Sequence, residues 1–385
     1  MLRLSAITLS TLAAMAAQTA SAEGLAIIGS VDTGLTFQSV DSGVDDRENS
    51  LSMNGANYRN NRVIFLGDEQ ISATTKAGFW LEMGFQSDTG DFDTNSSIFS
   101  RGAWVYLSDT NYGTINMGRI GSMRSSATPI CSDVMGNRIS PFGADWPALN
   151  WPMFAMPFVG YSLSNMVHYT SPKFGNFQVN AQYSFSGDDT GDEGTSSANR
   201  YSALALTYDG AQYAWVVSAD WMNESTRTSN PEASHKDAFS VTVGGNIDFQ
   251  SFKTFAWAQY FKDWDQIMSL PGFSETNILR GRDQIGGYAL SLGVTIPAWG
   301  GKFQVAGMYM DAEADDEVTA AEAAQTDTKL QRLGLLAAYE YPLSKRTTIY
   351  GITGYWRDSA DTKVGTTEYK DPNVFLATVG INHLF

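Results

Sequence analysis

Phe177-Gln178-Val179-Asn180-Ala181-Gln182-Tyr183-Ser184-Phe185 alternates apolar and polar side chains without a break. Odd positions carry Phe, Val, Ala, Tyr and Phe; even positions carry Gln, Asn, Gln and Ser. A helix would mix the two sets at every turn, whereas a strand sends them to opposite faces. The same period of two sets Phe239, Val241, Val243, Ile247 and Phe249 against Ser240, Thr242, Asn246 and Asp248, and Tyr213, Trp215, Val217 and Trp221 against Gln212, Ser218 and Asp220. Strands with one apolar and one polar face suit a sheet that meets lipid on one side and water on the other.

Extended along the chain, the alternation predicts sixteen strands over 24–38, 58–67, 74–86, 100–108, 113–119, 164–171, 176–186, 200–208, 212–223, 237–248, 251–262, 284–296, 302–311, 330–341, 346–357 and 374–385. Their connections take turns between short and long. Asp109-Thr110-Asn111, Pro172 to Gly175, Asp209-Gly210-Ala211 and Ala298-Trp299-Gly300 are short. Asp41 to Asn57, Gly187 to Asn199, Glu224 to Lys236, Asp263 to Asp283, Ala312 to Lys329 and Ser359 to Pro372 are long. Short periplasmic turns opposite long extracellular loops, with an even strand count, describe an all-β fold: a sixteen-stranded antiparallel transmembrane β-barrel. Aromatic pairs near strand ends, such as Tyr208 with Tyr213 and Tyr339 with Tyr341, suit the headgroup level.

Composition agrees. The 385 residues include 36 Gly, 21 Phe, 17 Tyr and 10 Trp but 11 Pro, a mixture favouring strands and tight turns. Mean hydropathy is −0.20, and past the N-terminus no apolar run is long enough to span a bilayer as a helix. Arg3, the short apolar stretch Leu4 to Ala17 and Ala20-Ser21-Ala22 have the form of an export signal over 1–22, leaving 23–385 as one barrel domain. A single cysteine, Cys131, precludes an intrachain disulfide. A net charge of −16 argues against nucleic acid as a partner.

One connection, Ile120 to Leu163, is much longer than the rest and is the third of the long loops. A loop of that length inside a compact domain is expected to be functional, and insertion into the lumen is the favoured reading. It carries Asp133, Asp145, Arg124, Arg138 and the apolar stretch Trp146 to Phe154, which would pack poorly in water. Packing of that stretch against the wall or a neighbouring subunit is the alternative. Strand parity then nominates wall residues. With Val63 and Phe65 outward, Arg62 points inward; with Ala77, Phe79 and Leu81 outward, Lys76 and Glu82 point inward. With Trp104 and Tyr106 outward, Arg101 points inward, and Arg119 falls at a strand-loop junction where parity does not decide. Basic wall residues Arg62, Lys76, Arg101 and Arg119 facing the loop and Glu82 would set a field across the opening. The alternative for each Arg is an ion pair within the wall.

Several blocks resemble the trimeric general porins of β-proteobacteria and neisseriae. Asn61 to Glu69 with Ala77 to Glu82 is similar to that family's first strand-turn-strand block, and Phe99 to Leu107 with Tyr112 to Arg119 to its most specific signature. Asn165 to Pro172, Tyr341 to Thr347 and Val379 to Phe385 complete the resemblance over the whole mature chain. It implies a homotrimer in the outer membrane, in contact with lipid and lipopolysaccharide, passing small hydrophilic solutes and ions by diffusion. It also implies a third extracellular loop folded inward, a place for Arg62 and Arg101 on the basic side of the constriction, and a C-terminal Phe385 read by the barrel-assembly machinery. Gln70-Ile71 stands where the family usually has Asp-Leu, and Trp80 takes a lumen-side place more often polar.

Other functions fit less well. The three histidines, His168, His235 and His383, sit beside no Ser/Asp arrangement of catalytic spacing, so no enzyme and no cofactor are expected. Acidic loop runs such as Asp188, Asp189, Asp192 and Glu193 lack metal-ligand spacing. Acidic loops favour cations at the mouth and a basic constriction favours anions deeper in, with a lean toward anions. A channel specific for one solute, built on Trp80, Trp146 and Trp151, stays open, as does a barrel serving as adhesin or receptor.

Overall fold

The computed structural model describes residues 24–385 except 44–45, 95–96, 124–127, 144–161, 188–193, 195–197, 224–236, 265–266, 268–269, 272–284, 315–328, 360 and 365–366. The export segment 1–22, together with Arg124, Asp145, His235 and the stretch 146–154, therefore lies outside the described residues.

Among the described residues nineteen strands follow one another: β1 (Ala26–Asp41), β2 (Glu48–Gly55), β3 (Arg62–Gln70), β4 (Thr75–Gly84), β5 (Gly102–Asp109), β6 (Gly113–Gly121), β7 (Ser162–Thr170), β8 (Phe177–Ser184), β9 (Arg200–Asp209) and β10 (Tyr213–Asn223). They continue through β11 (Ala238–Asp248), β12 (Lys253–Trp264), β13 (Ile285–Ala298), β14 (Gly301–Ala314), β15 (Lys329–Pro342), β16 (Thr347–Ser359), β17 (Asp361–Val364), β18 (Thr367–Lys370) and β19 (Asn373–Leu384). Seventeen form one antiparallel sheet that closes where β1 meets β19, with Leu35 opposite Val379. β17 and β18 form a separate hairpin. On its other edge β1 pairs with two short strands, β2 along Thr33 to Val40 and β3 along Ala26 to Ser30. These two pieces fill one position of the wall, so seventeen strands make a sixteen-position barrel.

Two departures from the sequence reading follow. Glu48–Gly55 is a strand rather than part of a loop, and the loop after β16 holds the β17–β18 hairpin. Between β2 and β3 the chain leaves the sheet, with Ala56 at φ 60°. Backbone N–H groups released there inside a membrane need an acceptor. Asp32, buried on the inner face of β1, supplies it: Oδ1 accepts the N–H of Asn57 at 2.8 Å and of Tyr58 at 3.3 Å, and the Tyr350 hydroxyl at 2.9 Å. Tyr58 is thereby turned inward onto Tyr350, with ring centroids 5.4 Å apart.

Lipid-facing rows match the alternation. On β19, Phe375, Val379 and Ile381 are exposed while Leu376, Thr378 and Asn382 are buried. Phe385 closes the row, its N–H and carbonyl pairing with the carbonyl and N–H of Gly29 at 3.1 and 3.0 Å. β5 departs from expectation. Val105 and Leu107 are its exposed row, whereas Trp104 is buried and lies directly opposite Trp80. Trp104 and Tyr106 thus face inward, because each finds a better partner there than lipid: Trp104 an indole, and the Tyr106 hydroxyl the Asp68 carboxylate at 3.3 Å.

Candidate functional site

Near the end of β4, Glu82 draws two arginines together. Arg62 opens β3 directly opposite Gly84, and Arg101 immediately precedes β5, where Gly102 opposes Glu82. Arg101 Nε donates to Glu82 Oε1 at 3.0 Å and Arg62 Nη1 to the same oxygen at 3.4 Å, while Trp80 Nε1 donates to Oε2 at 3.0 Å. Asp93 holds the other side of Arg101 at 3.4 Å and accepts the Ser100 hydroxyl at 2.9 Å. Arg101 does reach the inner face, but the route differs from the parity argument. Strand β5 has its odd positions outward, and Arg101 turns in because it stands at the bend before the strand begins.

The other nominated basic residues sit elsewhere. Lys76 faces inward at the short-turn end of β4, paired with Asp68 at 2.9 Å. Six residues from Glu82, it is about 20 Å away along an extended strand. Arg119 lies at an irregularity between Gly118 and Ile120 in the β6–β7 register, where Asn165 adopts φ 53°. There its Nε donates to the Ser100 carbonyl at 2.7 Å and Nη1 to the Ser164 hydroxyl at 2.9 Å, which ties it into the wall.

The long connection between β6 and β7 is described over 128–143, with helical turns through 129–139, and this part lies against inward-facing side chains. Gln182 Nε2 on β8 donates to the Gly121 carbonyl at 2.9 Å where the loop departs. Asn246 on β11 donates to the Arg138 carbonyl at 2.8 Å, and Gln304 on β14 to the Pro141 carbonyl at 2.6 Å. Arg138 binds Asp209 with two hydrogen bonds, 3.0 and 2.8 Å, at the short turn after β9. Loop carbonyls in this position have no helix or sheet to satisfy them, so inward amides of the wall do. Ile139 and Phe142 are buried beside them.

Asp133 is exposed on the loop, where the surrounding barrel withdraws bulk water and raises its carboxyl above the ordinary value, opposed by Arg138. Cys131 is buried, and desolvation pushes its thiol up to about 12. His168 is buried between Thr170 and Gln182, and His383 faces outward near Thr347. Among the described residues no group of three or more His, Cys, Asp or Glu could hold a metal ion.

Sequence reasoning missed Asp93, Asp209 and the loop-holding amides Gln182, Asn246 and Gln304. Inward parity was legible for the last three, yet nothing distinguishes an amide that binds the loop from one that faces water.

A closed antiparallel barrel with an apolar exterior, a charged inner wall and a loop segment on its inner face is an outer-membrane diffusion channel. The sequence profile of Gram-negative porins matches residues 8–361, and the chain belongs to that family. It resembles an outer membrane porin protein of Bordetella pertussis, 26% identical across 97% of each chain. Outer membrane porin protein 32 of Delftia acidovorans is also 26% identical, over 94% of this chain and 91% of that one. Among solved structures, the anion-selective porin from Comamonas acidovorans superposes with a TM-score of 0.67 at 22% identity, covering 94% of this chain and 99% of that one. The trimer form of the Vibrio cholerae outer membrane protein OmpT superposes at 0.59 with 15% identity, covering 94% and 99%. The protein is a porin of the outer membrane, a water-filled channel for passive diffusion of small hydrophilic solutes and ions.

Proposed function

We propose that this porin works as a homotrimer, discriminates among small solutes by size, and favours anions through the Arg62 and Arg101 pair. One observation carries the charge preference. The Glu82 side chain has no exposed surface, whereas Arg62 and Arg101 keep 12% and 10% of theirs. The Glu82 carboxylate therefore lies behind both arginines in the wall, while Asp93, the second carboxylate on Arg101, keeps 20% of its side chain exposed. In a narrow opening between low-dielectric walls such asymmetry weighs more than the acidic loops at the wide mouth. The structural neighbour from Comamonas acidovorans is an anion-selective porin, which agrees with this direction.

On this reading, residues 1–22 direct export, the 120–163 connection narrows the channel, lipid and lipopolysaccharide surround the barrel, and Phe385 is read by the assembly machinery. The porin family and the barrel fold support a channel rather than an enzyme. A planar-bilayer reversal potential in a potassium chloride gradient tests the charge preference, and liposome swelling with sugars of increasing size tests the size filter. A chloride-directed potential and flux falling smoothly with size are expected. A potassium-directed potential would refute the anion preference, and saturation by a single sugar would refute general diffusion.

A further inference from the structure

From the Arg101 and Glu82 cluster toward the short turns, the inner face of β4 and β5 is aromatic. Trp80 and Trp104 are direct cross-strand partners whose rings lie 12° from parallel with centroids 5.4 Å apart. At the next inward-facing pair, Tyr106 opposes Gly78. The place a Cβ would take on Gly78 lies 2.5 Å from the Tyr106 ring, and that on Gly102 lies 2.5 Å from the Trp104 ring. Both aromatic rings thus reach over a glycine of the wall, into the space a Cβ would take. One pair further, the Lys76 ammonium stands 5.8 Å from the centroid of the Tyr106 ring. Trp80, Tyr106 and Lys76 are each only partly buried.

Ion passage needs nothing of this kind. Flat π-faces bounded by a guanidinium at one end and an ammonium at the other match a ligand that is itself flat and carries a carboxylate. We propose that the β4–β5 face is a binding track for small aromatic carboxylates, which stack a ring on Trp80 or Tyr106 while the carboxylate accepts hydrogen bonds from Arg101 or Lys76. The inference rests on the channel reading and adds a solute class to it. Neighbouring carboxylates Glu82, Asp93 and Asp68 already pair with these cations, so the ring contact and not charge alone provides the discrimination.

The test uses the full-length protein reconstituted in planar bilayers, with benzoate and cyclohexanecarboxylate as probes. These share charge and carbon count, and only benzoate is flat. Benzoate is expected to reduce chloride conductance at concentrations roughly fivefold lower than cyclohexanecarboxylate, the worth of one aromatic stack. Trp80→Leu and Tyr106→Leu, made separately so that one folding failure does not end the test, should each narrow that ratio toward one. Trp299→Leu, at an exposed short turn, should keep it. Equal action of the two probes on the wild type, or a ratio surviving both lumen substitutions, would overturn the track. Absence of chloride conductance before any probe is added would contradict the channel reading itself, and the track with it.

Discussion

Arg101 Nε donates to Glu82 Oε1 at 3.0 Å, and Glu82 is fully buried behind it. We propose that an ion pair of this geometry serves the wall and the pore at once. The carboxylate fixes where the guanidinium stands, and on the proposed reading the guanidinium is what a passing solute meets.

Removing the carboxylate while keeping its shape should show both roles. Glu82→Gln leaves two guanidinium groups without the buried carboxylate they share, a loss of about 3 kcal/mol where one partner of a buried pair is taken away. We expect the barrel to unfold at lower temperature in detergent, seen as an earlier mobility shift on electrophoresis, with the surviving channels more anion-selective than wild type.

Loop anchoring makes a separate prediction. Asn246→Ala with Gln304→Ala removes the amides that hold the Arg138 and Pro141 carbonyls. At about 1 kcal/mol for each hydrogen bond, the double variant should keep the barrel but loosen the loop, giving noisier single-channel current. Current noise equal to wild type would show that the loop is held by other contacts.

Barrel closure depends on Gly29. The place of a Cβ there is taken by the Phe385 ring and the Arg62 carbonyl. Gly29→Val should therefore lower the yield of folded barrel in the outer membrane, and deletion of Phe385 should do the same, with export unaffected in both. Normal folded yield in either variant would contradict this account of the seam.

Cys131 offers a probe of loop position. A buried thiol pushed up to about 12 holds almost no thiolate at neutral pH, and the thiolate is the reactive form. Maleimide at pH 7.5 should leave the folded protein unlabelled and modify it once denatured. Rapid labelling of folded protein would place Cys131 in water.

The barrel was legible because lipid imposes a strict rule on outward residues, as the unbroken Phe177 to Phe185 alternation shows. Glu48–Gly55 escaped because its strand rises near the mouth with most positions exposed, so neither face was under that constraint. On β5 the rule was misapplied. Aromatics were expected to mark the lipid face, while Val105 and Leu107 held it. Arg62 and Glu82 were legible by parity, but the second carboxylate on Arg101 was not, since Asp93 comes from a loop without period. Residues that hold the inserted loop were hidden for a related reason: they meet a segment far away in sequence, and alternation reports only which face a side chain takes.

The most direct test of the charge filter is the reversal potential of Arg62→Ala combined with Arg101→Ala in a potassium chloride gradient. Loss of both guanidinium groups should move the potential toward potassium relative to wild type. An unchanged potential would remove the pair from the control of selectivity and leave it a structural element of the wall.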